Sequence, residues 1–199
     1  MNFLIVGGFL GSGKTSLLLQ LIPYMREQLG IEKTVILENE IGRVGIDDRV
    51  LAGAGCSVQG MFAGCVCCTM AGELSQTVRA IERDIAPEWI VMEATGMAFP
   101  QNVKENLADS CGIQARICCL ADAKRWTRLL KPMEHLLPLQ LQEADVVLVN
   151  KADLIDEETL TSVCESVKGF CGPETEICPV SINNGIDSGI FDRILGRRV

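Results

Sequence analysis

Aromatic residues make up only 5% of this 199-residue chain against 48% hydrophobic residues overall, so its strands and helices must pack through aliphatic side chains. Long apolar runs are missing too. Asn2–Phe9 and Val146–Val149, among the longest, fall far short of the roughly 20 residues that a bilayer-spanning helix needs, which excludes a membrane span. Positive charge is not in excess: the net charge is −8, which argues against nucleic acid as the main partner. The basic pair Arg197-Arg198 reads as a solvated tail. The opening residues enter a strand at once and leave no room for a signal peptide, which predicts a cytoplasmic protein with no membrane partner. Repeats, low-complexity tracts and linkers are absent, which predicts one domain over residues 1–199. There is one histidine, His135, on an apolar helical stretch, and it reads as a packing or surface residue rather than a ligand. Paired Cys-x-x-Cys motifs, the mark of a closed structural zinc site, do not occur.

Cysteine itself is plentiful. The ten are Cys56, Cys65, Cys67, Cys68, Cys111, Cys118, Cys119, Cys164, Cys171 and Cys178. In a cytosolic chain they stay reduced, so the count is not a disulfide framework. Cys118 and Cys119 sit within the apolar run Arg116–Ala121, where a thiol behaves as a small core residue. Cys65, Cys67 and Cys68 alone have the spacing of a metal claw.

Apolar runs alternate with amphipathic stretches along the chain, the pattern of βαβ units and a mostly parallel sheet flanked by helices. Strands are predicted at Phe3–Val6, Thr34–Leu37, Trp89–Met92, Ala115–Ala121, Val146–Val149 and Glu176–Val180. Helices are predicted over Lys14–Leu29, Gly72–Ile85, Asp156–Val167 and Asp187–Leu195, with Asp156 as an N-cap. Lys124–Glu143 reads as helical but broken by Pro132 and Pro138, and Ile41–Gly55 as irregular connection.

Gly8-Phe9-Leu10-Gly11-Ser12-Gly13-Lys14-Thr15 follows the first strand and opens the first helix, the context of a phosphate-binding P-loop. Gly8, Gly11 and Gly13 let the backbone wrap tightly and turn its N–H groups toward phosphate oxygens. The helix start at Ser12–Ser16 adds unpaired N–H groups and a positive dipole end. Lys14 is expected to reach the β- and γ-phosphates and the Thr15 hydroxyl to ligate Mg²⁺. Asn150-Lys151-Ala152-Asp153 ends the strand Val146–Val149. A carboxylate there can accept from guanine N1–H and the N2 amine, a donor pair that adenine lacks, so the expected nucleotide is GTP or GDP. Ser181 follows the last strand, where a second base-contacting loop is expected. Glu93-Ala94-Thr95-Gly96 caps the strand Trp89–Met92 and fits a switch whose Gly96 N–H senses the γ-phosphate. Met97 stands where a water-positioning Gln would follow, which predicts slow intrinsic hydrolysis.

The thiolates of Cys65, Cys67 and Cys68 suit Zn²⁺ and related late transition metals such as Co²⁺ or Ni²⁺. So tight a loop cannot easily aim all three sulfurs at one ion. Two or three thiolates with an outside ligand or water form an open site suited to transfer. Glu38 and Glu40 are candidate partners, or one of them ligates Mg²⁺ instead. The plain alternative is a buried or redox-active cysteine cluster.

These motifs, in this order, resemble the CobW/HypB/UreG family of P-loop GTPases, and most of all its CobW-like branch. The resemblance is carried by Gly64–Cys68 as Gly-Cys-x-Cys-Cys, Glu38–Gly42 as Glu-Asn-Glu-x-Gly and Glu93–Gly96 as Glu-x-x-Gly. Smaller matches are Asp47-Asp48, Asp122-Ala123, Gln140 and Ala144-Asp145, so it covers residues 1 to about 185. It implies an α/β P-loop fold and a GTPase that handles zinc, cobalt or nickel for a client metalloprotein or cofactor-assembly protein. It also implies a class in which two protomers face each other across the nucleotides, hence a nucleotide- or metal-dependent homodimer. CobW-like proteins usually continue into a second, β-containing domain and many carry a His-rich stretch; residues 1–199 are expected to form the GTPase domain alone, without a C-terminal CobW-type domain, and they contain no His-rich stretch.

The expected function is therefore a GTP-dependent, slowly hydrolysing metallochaperone, in which GTP orders the Glu38–Asp48 region and the cysteine loop and hydrolysis releases the ion. Its alternative is a GTPase that gates assembly of a corrinoid or other metalloenzyme without carrying metal. A nucleotide-dependent redox regulator and a small-molecule kinase stand further off, the latter because Asn150–Asp153 selects guanine.

Overall fold

The strand β1 (Asn2–Gly8) reads Asn-Phe-Leu-Ile-Val-Gly-Gly and is buried from Phe3 onward. A strand that is apolar on both faces belongs at the centre of a parallel sheet covered on both sides. The computed structural model, which describes residues 1–38, 57–60, 71–96 and 99–197, places it there. The other strands are β2 (Thr34–Glu38), β3 (Ser57–Gly60), β4 (Trp89–Glu93), β5 (Ala115–Asp122), β6 (Val146–Asn150) and β7 (Glu176–Val180). They form a seven-stranded sheet in the order β3-β2-β4-β1-β5-β6-β7. Every pair is parallel, with Val6 opposite Glu93 on one side and Cys118 on the other. This is the α/β, mostly parallel class expected from the alternating pattern.

Alternate residues of the strands feed two cores. Leu4, Val6, Ile36, Val91, Leu120 and Leu148 face helix α1 (Lys14–Glu27) and the last helix, whose Phe191, Ile194 and Leu195 complete that layer. Phe3, Ile5, Leu37, Ile90, Met92 and Val147 face the opposite layer. It is covered by α2 (Ala71–Asp84), α3 (Pro100–Cys111), the short α4 (Trp126–Leu130) and α5 (Leu137–Leu141), and α6 (Glu157–Lys168). Each fully buried aliphatic side chain contributes about 1.5–3 kcal/mol, so the aliphatic pattern accounts for both layers. The last helix is α7 (Ser188–Leu195). Cys118 and Cys119 point to opposite cores and both are fully buried.

Two elements differ from the sequence reading. Helix α3 was not anticipated, because only Pro100, Val103 and Leu107 of its 12 residues are buried and Phe99 caps it without a side-chain bond. It is set instead by proline at the helix start and by Gly112 at φ 67° after its end. Strand β3 is a short edge strand with no apolar run to announce it. The broken region Lys124–Glu143 divides as its prolines suggest, with Pro138 in the first turn of α5. His135 is exposed on the turns between α4 and α5, a surface position. Among the described residues, no helix is long and apolar enough to cross a membrane.

Candidate nucleotide site

Because every strand runs the same way, the loops that follow them gather along one edge of the sheet. The order reverses at β1, between β4 and β5, and in open parallel sheets a ligand crevice forms outside the strand ends at such a point. The first loop here runs from Gly8 into α1. Gly8 has φ 129°, and a Cβ on it would meet the Leu120 carbonyl oxygen at 2.5 Å. Gly13 has φ 111°, and a Cβ on it would collide with the Asn150 amide. Both positions need glycine for backbone conformation and for space.

The loop is held from the β6 end. Asn150, 4% exposed, donates from Nδ2 to the Ser12 carbonyl at 2.7 Å, and its Oδ1 accepts from the Lys151 and Ile182 amides at 2.8 and 3.0 Å. Lys151 adopts φ 67° and sends its ammonium to the Gly11 carbonyl at 2.8 Å and to Asp122 Oδ2 at 2.6 Å. Arg125 donates to the other side of the same loop, from Nη2 to the Leu10 carbonyl at 2.6 Å and from Nε to Asp122 Oδ2 at 2.7 Å. Asp122, at the end of β5, thus carries two cations that both grip the phosphate loop. Burial alone would raise its pKa, but the hydrogen bonds from Lys151 and Arg125 outweigh burial and hold the carboxyl below the usual aspartate range.

The β4 end supplies the acid. The Thr15 hydroxyl donates to the Glu93 carboxylate, at 3.2 Å to Oε1 and 3.3 Å to Oε2. Lys14 is buried and one of its N–H groups goes to the Gly8 carbonyl at 3.0 Å. Between these loops lies a cleft of about 340 Å³ lined by Leu10, Gly11, Gly13, Lys14, Thr15, Ser16, Glu93, Asn150, Lys151 and Asn183. Backbone N–H groups at a helix start, a buried ammonium and an adjacent hydroxyl–carboxylate pair suit a polyphosphate carrying a hard divalent cation.

Most of the residues singled out in the sequence converge here: Gly8, Gly11, Ser12, Gly13, Lys14, Thr15, Ser16, Glu93, Asn150 and Lys151. Asp153 does not line the cleft. It is exposed beside it, with its amide donating to the Ser181 hydroxyl at 3.0 Å, so the two loops expected near a base are joined to each other. Gly96 lies against the phosphate loop, where a Cβ would be 2.8 Å from the Leu10 nitrogen. Glu38 ends β2 level with Glu93 of β4, which places its backbone at the same sheet edge. Glu40, Cys65, Cys67, Cys68 and Met97 lie outside the described residues. Among the described residues, no cluster of three metal-ligating side chains occurs. The Arg125 contact was not anticipated. In the sequence, Asp122 and Gln140 stand out only through the family resemblance, which attaches no role to them. Their partners are remote in sequence, and no local signal names them.

The CobW/HypB/UreG nucleotide-binding domain matches residues 2–178. Similar proteins include the zinc chaperone CobW of Sinorhizobium sp, 29% identical over 82% of this chain and 54% of that protein. The zinc chaperone YeiR of Escherichia coli (strain K12) is 29% identical over 78% of this chain and 48% of its own. The zinc-regulated GTPase metalloprotein activator 1 of Dictyostelium discoideum is 24% identical over 94% and 48%. The chain therefore spans about half the length of the curated relatives it matches. The same fold occurs in the crystal structure of the hydrogenase maturation factor HypB from Archaeoglobus fulgidus, with a TM-score of 0.69, 16% identity, and coverage of 98% of this chain and 89% of that one. HypB from Helicobacter pylori in complex with nickel gives a TM-score of 0.65 at 16% identity, covering 98% and 84%. With a P-loop, an Asn-Lys-x-Asp loop and a Glu-x-x-Gly segment gathered on one edge of a parallel sheet, this chain belongs to the CobW/HypB/UreG family.

Proposed function

We propose that this protein is a GTP-binding, slowly hydrolysing metallochaperone that grips a transition metal at Cys65, Cys67 and Cys68 and hands it to a client protein or cofactor-assembly partner. The observation that carries the reading is the meeting of the phosphate loop with Glu93 through Thr15. A hydroxyl and a carboxylate paired at the end of the strand that leads into the Glu-x-x-Gly segment support the reading of a cation site beside the phosphates. The names of relatives as zinc chaperones support the metal half of the reading.

In this reading the phosphate-loop amides and Lys14 hold the β- and γ-phosphates, and Asp153 accepts from the guanine edge. Thr15 and Glu93 would hold Mg²⁺, which neutralises charge on the phosphates when bound. Hydrolysis adds water to the γ-phosphorus and breaks the bond to the β–γ bridging oxygen, yielding GDP and inorganic phosphate. With Met97 after Gly96, no side-chain amide follows the switch glycine to orient that water, so turnover is slow. The transition metal is cargo, and Zn²⁺, Co²⁺ and Ni²⁺ all suit thiolate ligands. Glu38, whose backbone stands beside that of Glu93, and Glu40 are the two candidate carboxylates to link cargo and nucleotide, one of them as a ligand of the transition metal or of Mg²⁺. Residues 1–199 act as one nucleotide-binding unit, and a homodimer formed across the nucleotides fits the exposed cleft.

The coupling is tested by anaerobic Co²⁺ titration of the reduced protein, reading thiolate-to-cobalt charge-transfer absorption. The three states are nucleotide-free, Mg²⁺·GDP and Mg²⁺ with a non-hydrolysable GTP analogue. Binding at least tenfold tighter with the analogue, and lost in Cys67→Ser/Cys68→Ser, is the expected result. Equal affinity in all three states would remove the metal-carrying role and leave an assembly GTPase.

A further inference from the structure

The tip of the phosphate loop is a turn, closed by the Ser12 amide donating to the Phe9 carbonyl at 3.1 Å. Leu10 and Gly11 are its central residues, and Gly11 has φ 75°. A positive φ at the third position belongs to a type II turn. Type I closes the same hydrogen bond with the peptide between the two central residues turned over. Glycine at the third position admits both forms, because it has no Cβ to clash.

One side chain decides between them. Arg125 donates from Nη2 to the Leu10 carbonyl at 2.6 Å. Its Nε is fixed by Oδ2 of the buried Asp122 at 2.7 Å, so the guanidinium has a rigid anchor. Leu10 and Gly11 line the cleft, whereas Arg125 does not, and the Leu10 carbonyl is therefore drawn to the outer side of the loop. A trans peptide carries its N–H on the edge opposite its carbonyl, which turns the Gly11 N–H toward the cleft. That N–H makes no hydrogen bond among the described residues. With the peptide turned over, the Leu10 carbonyl would take its place and set the negative end of a dipole against a phosphate.

We propose that Arg125 is a positioning residue that locks the Leu10–Gly11 peptide with its N–H aimed into the cleft, and so sets the affinity of this chain for nucleoside polyphosphates. The proposal rests on the reading of the cleft as a polyphosphate site. Arg125 acts through the main chain alone. Lys151 holds the next carbonyl, that of Gly11, at 2.8 Å from the same Asp122 anchor, so one buried carboxylate orients two successive peptides of the loop.

The test uses the full chain with Mg²⁺ and either fluorescent GDP or a fluorescent, non-hydrolysable GTP analogue. Arg125→Met removes every donor and keeps the aliphatic stem. It is expected to weaken both nucleotides about tenfold or more, the worth of one hydrogen bond to a charged group. Arg125→Lys keeps a donor for the Leu10 carbonyl and is expected to lose no more than about threefold. The peptide itself is read by NMR of chains carrying ¹³C at leucine carbonyls and ¹⁵N at glycine, which selects Leu10–Gly11, Leu29–Gly30 and Leu195–Gly196. Saturating GDP is expected to move the Leu10–Gly11 amide proton downfield in the wild type and to leave it near its free position in Arg125→Met. The other two pairs are the unmoved references. Arg125→Gln, whose stem is too short to reach the Leu10 carbonyl, is held to the same expectations should melting show the methionine variant to be unfolded. Weakened binding with the wild-type downfield shift would give Arg125 a merely structural role, and wild-type affinity in the variants would give it none; either overturns the proposal. A wild-type chain that binds neither nucleotide overturns the cleft reading along with it. A wild-type chain that binds both, beside variants of equal affinity and shift, overturns this inference alone.

Discussion

Asp153 is the proposed reader of the base, and it stands beside the cleft rather than in its lining. Its amide is tied to the Ser181 hydroxyl, which fixes the loop while leaving the carboxylate exposed beside the nucleotide site. A carboxylate offers acceptors only, matching the paired N1–H and N2 amine of guanine. Asp153→Asn replaces one acceptor with a donor, which matches the C2 carbonyl of xanthine instead. The expected outcome in competition binding is a loss of GDP affinity of about tenfold or more with a gain for xanthosine diphosphate, since each mispaired hydrogen bond to a charged group is worth about 1.5–3 kcal/mol. Unchanged preference would mean that Asp153 does not read the base. Asn150, three positions earlier, does different work: both ends of its amide are spent on Ser12, Lys151 and Ile182, so it braces the phosphate loop from inside.

At the scale of elements, the helices are closed by different devices, and these decide what the sequence discloses. Helix α6 starts at Asp156, whose carboxylate accepts from the Thr159 amide at 2.8 Å and from the Thr159 hydroxyl at 3.0 Å, with Glu157 and Glu158 in its first turn. These are local signals, and the helix was legible for that reason. Asp156→Ala should lower unfolding stability by about 1 kcal/mol, read as a shift in denaturant midpoint at constant slope, without altering nucleotide binding. Helix α3 has no such cap and a narrow apolar stripe, so its existence depends on the sheet face it covers. Helix α1 starts at Gly13, in a left-handed conformation with no side-chain cap. The N–H groups of its first turn are thus left to the cleft, a local weakness that serves ligand binding.

For the molecule as a whole, Asp122 ties together the ends of β5 and β6 and the loop after β1, through Lys151 and Arg125. Because its folded pKa is held below the ordinary value, its stabilisation is fully present above about pH 4 and is lost as pH falls through the folded pKa. Asp122→Asn, which leaves two cations without their carboxylate, is therefore expected to melt well below wild type at pH 7. The gap should narrow below about pH 4 as the wild-type carboxyl takes up its proton. A gap that stays constant from pH 7 to pH 3 would show that the carboxylate charge does not contribute.

Short-range chemistry is legible in the amino-acid order alone. The aliphatic strands announced a buried parallel sheet, Gly8–Thr15 a phosphate loop, and Asp156 a helix start, because each depends on residues within a turn or a strand of one another. Which distant groups meet is settled by the folded chain. Arg125 reaches Leu10 across 115 positions, Asn150 reaches Ser12 across 138, and Thr15 finds Glu93 across 78. Those pairings follow from the strand order β4-β1-β5-β6, which brings four strand ends to one edge. Strand order is set by how two hydrophobic layers close around the sheet, a property of the whole chain that no local pattern contains.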